Sequence, residues 1–431
     1  MPRLNRQSTP RLAAIAGVAL LISACNTPDA ALGVKDAPIT DAGGHASSSS
    51  VLTRFDLGTL GGASSYATDI NGQDVVVGWS DTKSGASHAF RWSATGGMVD
   101  LGTLPGDPAS RAVAIIDGST TGGGQILGIS GTEGNWTPVV WSASGSISRL
   151  PIPVMPDFSF GLPVGFNAHG DVVGWDAGSA GQHGWAWSAT DGKYDLSANV
   201  HGGSNEGSAG GITASGLVLL TTRAFSCQHT AECWRTYTWS QTSGYSSIGT
   251  PGSDPEANVT GLGVNDAGMI VGWFTLAGQT GAAPYRWAAS TGFTALPHYS
   301  TGSGAYGYAT AANATGTVVG ADLEPISGSI VATTWSPTGA ISRLTAGDPN
   351  ASVAVAVNNT GTIAGWATVS DRVNHAVVWS SSLKASHTNL NVSVPVRRYI
   401  STASAPCLKG VRAVLSRQAL FACATDADRT R

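Results

Sequence analysis

Seven tryptophans pace this chain. Trp92, Trp141, Trp187, Trp239, Trp287, Trp335 and Trp379 each close a short strand-like run and precede Ser or Ala, at intervals of 49, 46, 52, 48, 48 and 44 residues. So regular a period requires one structural unit copied seven times, each burying a face against its neighbour. A second mark sets the phase. Gly78, Gly174, Gly272, Gly320 and Gly365 end segments such as NGQDVVVG and NATGTVVG, and Asn71, Asn167, Asn265, Asn313 and Asn358 lie seven residues earlier. Asp117 with Gly128, carrying a four-residue insertion, and the degraded TASGLVLL from Thr213 complete the seven.

Each unit parses into four short strands. Strand A is a small-residue run ending at the Asn, strand B is β-branched (DVVVGW), strand C is aromatic (HAFRW) and strand D resembles MVDLGTL. Between A and B, Asn-x-x-Gly describes a tight turn in which the Asn side chain bonds its own backbone. Gly170, Gly216, Gly268, Gly316 and Gly361 supply a positive φ there, and Asp74 stands in for them in the first unit. Four antiparallel strands in roughly 40 to 50 residues define a β-propeller blade. An all-β, seven-bladed β-propeller follows, favoured over a parallel β-solenoid, whose coils are shorter. The crowded innermost strand needs small residues, and Gly165, Gly211, Gly263, Ala311 and Ala356 stand two before the Asn. There are eight D-like segments, and FDLGTL at Phe55 is the surplus one. It is expected to close the ring against blade seven near Val377, with residues 388–394 competing for that edge.

Composition agrees with this reading: 57 Gly and 14 Trp against only 12% charged residues is a turn-rich, helix-poor chain. The ends differ from the middle. Residues 1–25 read as a secretory signal, with Arg3, Arg6 and Arg11 before an apolar run too short to span a bilayer comfortably. Its end, Ile22-Ser23-Ala24-Cys25, resembles the bacterial lipobox, which implies lipidation at Cys25 and a membrane anchor; Asn26 leans toward the outer membrane. Residues 26–50 read as a flexible tether, 51–394 as the propeller, and 395–431 as a basic tail with a short amphipathic helical stretch.

The phrases DLGTLGG, IN with VVG, HAFRW and DLGTLPG resemble the extracellular HAF repeat family, named for a tripeptide that is His88-Ala89-Phe90 here. The resemblance spans about residues 52 to 395. The histidine recurs at His183 and His375 but is replaced by Thr137, Arg235, Ala283 and Val331 in the other units. It implies an extracellular or envelope-attached repeat protein and carries no general activity.

Short turns occupy the A–B and C–D face of such a ring, leaving longer D–A loops to the opposite face, where binding usually resides. Those loops carry Asp107, Asp157, Glu206, Asp254, Glu256 and Asp348. They can be read as a broken ring of carboxylates for a cation, a basic peptide or sugar hydroxyls, or as turn-forming acids. The recurrent histidines point to a structural hydrogen bond in each blade rather than one catalytic centre. His201 and His298 end strand D on the loop face and, with Glu206 and Asp254, are the acid/base candidates if the protein is an enzyme. No nucleophile elbow, phosphate-binding loop, dinucleotide fingerprint or zinc-protease motif is present, and no cofactor or metal is implied. Residues 26–394 hold 13 basic and 25 acidic side chains, a net of −12 that argues against nucleic acid. The four cysteines beyond Cys25 permit three pairings, of which Cys227 with Cys233 and Cys407 with Cys423 is the nearest-neighbour one. Function then reduces to three readings: an envelope protein binding a polysaccharide or a protein partner, a periplasmic polysaccharide lyase or hydrolase, or a structural surface protein.

Overall fold

Why strand B carries glycine in six of the seven repeats becomes clear from its partner strand. The computed structural model describes residues 52–383, except 119–123, 157, 179–180, 198–199, 201–202, 225–232, 300–304, 326, 345–349 and 371–372. These belong to the compact unit 32–397; the second unit, 1–31 with 398–431, lies outside them. Signal, tether and basic tail therefore lie outside the described residues, as do 388–394.

Seven four-stranded antiparallel sheets form the propeller. Blades one to six span 61–100, 109–149, 158–195, 203–247, 258–295 and 307–343, each built in chain order from its innermost strand outward. Among the described residues the only helical element is one 3-10 turn, Pro251–Ser253. Blade seven takes strands Ser352–Val357, Ile363–Ser370 and Val373–Ser380 and borrows its outermost strand from the N-terminal side, Thr53–Asp56. That strand pairs Phe55 with Val378 and Asp56 with Val377, and Leu57 N–H continues the ladder to the Ala376 carbonyl at 2.9 Å. The surplus phrase closes the ring where expected.

In every blade, strand A has a one-residue bulge against strand B, at Thr68, Val113, Val164, Gly210, Leu262, Thr310 and Val355. Just before the bulge a strand A carbonyl lies close against strand B. A Cβ at Gly78, Gly128, Gly174, Gly272, Gly320 or Gly365 would overlap a strand A carbonyl oxygen, which is why these positions are glycine. Blade four departs: Leu220 occupies the place opposite Ala209, and the bulged residue itself is Gly210. Crowding at the innermost strand is less uniform than the repeat implies. A Cβ at Gly263 would overlap the Thr310 carbonyl, whereas one at Gly211 would meet nothing closer than Val264 at 3.6 Å.

The core lies between blades. Val75, Val77 and Ala89 of blade one pack with Ile126, Val139 and Trp141 of blade two, and similar clusters join later pairs. Two of the marker tryptophans also bond backward across the seam: Trp141 Nε1 donates to Leu101 carbonyl and Trp335 Nε1 to Pro297 carbonyl, both at 2.8 Å. The turn asparagines reach further than a turn requires. Each Oδ1 accepts N–H groups of its own turn, as Asn265 does from Ala267 and Met269. The Nδ2 of Asn265 donates to Asn313 carbonyl, that of Asn313 to Asn358 carbonyl, and that of Asn358 to Asn71 carbonyl, at 2.9, 3.0 and 2.9 Å. Asn71 Nδ2 continues to the Ile116 carbonyl at 3.4 Å. Blade two therefore has Ile116, paired to Gln125 as Asn71 is to Val75, in the asparagine position; Asp117 is one residue beyond it. Asp74 is the described non-glycine residue with positive φ, at 59°, matching Gly170 at 86° and Gly361 at 85°.

The closing strand is pinned by charge as well as by its ladder. His375 Nδ1 lies 2.9 Å from both Asp56 carboxylate oxygens. Burial pushes Asp56 up, but the bonds from His375 and the Gly58 N–H outweigh it and hold the carboxyl below its usual value. His375 is raised by its bond to Asp56 against the opposing effect of burial. A depressed carboxylate stabilises above its unfolded value near ~4 and loses this as pH falls through the folded value. A raised histidine stabilises fully below ~6.5 and loses this as pH rises through its folded value. Closure is thus expected to be firmest between roughly pH 4 and 6.5. The Asp56 side chain is 45% exposed, so screening keeps the effect below about 1 kcal/mol. Hydrogen exchange at Phe55 and Leu57 across pH 5 to 8 measures it, and Asp56→Asn should flatten the profile.

Candidate functional site

The recurrent histidines have a shared partner. His88 meets Asp100 and His183 meets Asp195, each at 2.8 Å, as His375 meets Asp56. The acid begins the DLGTL phrase or its equivalent on the neighbouring strand, and its other oxygen caps the following turn, at Gly102 N–H (2.7 Å) and Ser197 N–H (2.9 Å). These are frame contacts, repeated in blades one, three and seven. In blade four Arg235 replaces the histidine and donates instead to the carbonyls of Trp234, Pro255 and Ala257, clamping the next D–A loop.

On the loop face, the described acids are engaged locally. Asp107 Oδ2 accepts from buried Ser130 at 2.8 Å. Asp254 accepts the Ala277 and Glu256 N–H groups, at 3.0 and 2.9 Å, and these bonds hold its carboxyl below the usual range. Glu206 bridges Arg223 at 3.1 Å, and Glu256 contributes to the field around Arg235. His298 Nδ1 sits 2.7 Å from Asp322, a fully buried carboxylate of blade six that also accepts Tyr299 N–H at 3.1 Å. Glu206, Asp254 and His298 thus have separate partners in blades four, five and six. Asp157, His201, Asp348, Cys25, Cys227, Cys407 and Cys423 lie outside the described residues. Cys233 is buried and disulfide-bonded. Among the described residues no group of three or more His, Cys, Asp or Glu is placed to hold a metal ion.

A cavity opens on the opposite face, between the short turns of blades three and four. Its volume is about 210 Å3, and Trp187, Tyr194 and Trp239 line it together with Asp171, Asp191 and Gln241. Trp187 and Trp239 are the marker tryptophans of these blades, and their strands end at the cavity in the C–D turns. Tyr194 is 39% exposed, with its ring centroid 6.2 Å from that of Trp239 at 43°, and Gln241 Nε2 approaches its hydroxyl at 3.5 Å. Asp191 is set by Ser188 and Thr190, whose hydroxyls donate to Oδ2 at 3.0 and 3.1 Å. Asp171 Oδ2 accepts from Asn167 Nδ2 at 3.0 Å. Neither acid has a partner on Oδ1 among the described residues. Apolar ring faces beside fixed acceptors and an amide suit a ligand that is apolar on one face and hydroxylated at its edge. Attention to loop length in the sequence pointed to the other face; the available signal was an acid in both short turns of one blade.

No protein-family model matches the sequence, and no curated protein does. Similarity to solved structures is found instead. An oligogalacturonate lyase from Vibrio parahaemolyticus aligns at 10% identity over 77% of this chain and 94% of its own, with a TM-score of 0.50. The β-propeller domain of the Trilobed protease from Pyrococcus furiosus, described as having an open velcro topology, aligns at 11% identity over 74% and 94%, with a TM-score of 0.51. A fucose-specific lectin from Aleuria aurantia aligns at 10% identity over 60% and 93%, with a TM-score of 0.34. The likeness to the lyase and to the protease domain is one of fold.

Proposed function

We propose that this chain is an envelope-attached binding protein of the HAF repeat kind that recognises a polysaccharide. The observation that carries this reading is the aromatic cavity between blades three and four, where Trp187, Tyr194 and Trp239 stand beside Asp171, Asp191 and Gln241. Its volume falls below the roughly 300–1,000 Å3 of sites for drug-sized ligands, a scale that suits one sugar ring of a longer chain. The rigid ring holds the two blades, and therefore the two walls, at fixed separation. Binding of purified envelope polysaccharide is expected to fall at least about tenfold in Tyr194→Ala with Trp239→Ala, the loss of two stacking faces. Unchanged affinity in a folded double variant removes this reading.

The lipobox-like end of the signal supports an anchor at Cys25, and Asn26 supports a location at the outer membrane. Cys25→Ser is expected to move the protein from the membrane to the soluble fraction; retention overturns the anchor. One observation favours the enzymatic alternative. Asp322 orients His298 by Nδ1 and leaves Nε2 without a partner among the described residues, the arrangement of an oriented general base. Polymer cleavage lost in His298→Ala supports that reading, and binding without cleavage in both proteins removes it.

A further inference from the structure

The repeat supplies an internal comparison for the cavity. One residue before the marker tryptophan, blades one and five carry Arg91 and Arg286. Each crosses to the next blade and donates from NH1 to a carbonyl in its C–D turn, Arg91 to Ala143 at 2.9 Å and Arg286 to Pro337 at 2.7 Å. A guanidinium thus bridges these two seams on the short-turn face. The same repeat position in blade three is Ala186, which lines the cavity, and the residue matching Ala143 and Pro337 in blade four is Gln241, which lines it too.

Where two seams are bridged by the protein's own cation, this one lacks it and gains two acids. Asp171 stands where other A–B turns have residues such as Val75, Leu217 and Met269, and Asp191 precedes Gly192 where the matching residues are Gly96, Ser243 and Thr291. No Lys, Arg or His lines the cavity. The neighbouring cation, Lys193, is committed to buried Asp176 at 2.6 Å and to the Pro153 carbonyl at 2.7 Å.

We infer that the cavity is a subsite for a sugar residue bearing a free amino group, whose ammonium takes the place that Arg91 and Arg286 fill in two other seams. This rests on the polysaccharide reading and deepens it. The ammonium lies between Asp171 and Asp191 and donates to the Gln241 carbonyl, while the ring lies against Tyr194 and Trp239. Acidic sugars such as uronates are repelled by the same pair of carboxylates.

The test is binding of the full chain to glucosamine oligomers, to their N-acetylated counterparts, to oligogalacturonate and to oligolysine, at low and high ionic strength. The expected result is at least about tenfold tighter binding of the free-amine oligomer than of the acetylated one, with the gap narrowing at high salt. Asp191→Asn should remove that preference. Ala186→Arg should abolish binding of both oligomers with an unchanged melting temperature, since the fold accommodates arginine at this repeat position twice. Should Ala186→Arg fail to fold, the exposed-side variants Asp191→Asn and Tyr194→Ala decide alone.

Equal, cavity-dependent binding of acetylated and free-amine oligomers overturns the amino-sugar inference and leaves the polysaccharide reading standing. Preference for oligogalacturonate does the same. Cavity-dependent binding of oligolysine above every sugar overturns both in favour of a basic peptide, and no binding sensitive to these substitutions also overturns both.

Discussion

Gly320→Ala is expected to destabilise the ring by about 3 kcal/mol, the upper end of what overpacking costs. The added Cβ overlaps the carbonyl oxygen of Tyr308 and crowds the Cα of Ala309. Both are backbone, so no rotamer change relieves the clash; strand A must lose its bulge or strand B must leave the ladder. Gly211→Ala is the control. A Cβ there meets only ordinary contacts, and the equivalent residues in blades six and seven are already Ala311 and Ala356. It should be neutral or stabilising by about 0.5 kcal/mol through the unfolded chain. Equilibrium denaturation of the two variants measures the difference, and equal midpoints would show that the bulge does not dictate the glycine.

Those two glycines are equally regular marks in the sequence, and the contrast shows where sequence reasoning stopped. Period, phase, strand number and the closing role of FDLGTL were legible because each follows from local pattern: alternation, turn chemistry and a count of eight D-like segments for seven blades. The bulge was not. It is a register shift between strands A and B, and the glycine that answers it lies on a different strand from the residue that causes it. The Ile116 position was hidden for a related reason, since a longer turn in blade two made Asp117 the nearest polar match, while backbone pairing with Gln125 fixes the register.

The site was less legible than the fold. Asp107 and Asp254 stand in turn-forming contexts, and the turn chemistry that made them recognisable also engages them. His88, His183 and His375 were read as structural from their repetition, which the aspartates of the next strand explain. The cavity arises from absences and exceptions: alanine at Ala186 where two repeats have arginine, and acids in both turns of blade three. Such a feature is visible in sequence only after the repeats are aligned by structural register, because its walls come from residues some 50 apart, such as Trp187 and Trp239.

Asn358→Ala and Asn167→Ala separate the two roles of the turn asparagine. As turn formers alone, they should be equivalent. Asn167 spends both ends locally: Oδ1 accepts from His169 and Asp171 N–H, and Nδ2 donates to Asp171. Its loss should cost about 1–2 kcal/mol, as for other capping-type side chains. Asn358 also accepts two turn N–H groups, of Thr360 and Thr362, but its Nδ2 crosses to Asn71 carbonyl and Asp74 of blade one. Both asparagines are buried, but removing Asn358 also takes the seam bonds from Asp74 and from the Asn71 carbonyl, which keeps the Asp74 N–H of its own turn, at about 1–3 kcal/mol for each buried group left short of a partner. The expected loss is about 3–4 kcal/mol, roughly twice that at Asn167. The seam matters more than its bond count, because blades seven and one are 287 residues apart at this contact and are otherwise tied by the closing strand, by packing and by the bonds of Ala376 N–H to Ser65 Oγ and of Asn374 Nδ2 to the Tyr66 hydroxyl. Asn358→Ala should therefore speed hydrogen exchange in Thr53–Asp56 and Val373–Ser380, which Asn167→Ala should leave unchanged. Equal stability losses with equal exchange would reduce the asparagine to a turn residue and leave ring closure to the strand and the remaining seam bonds.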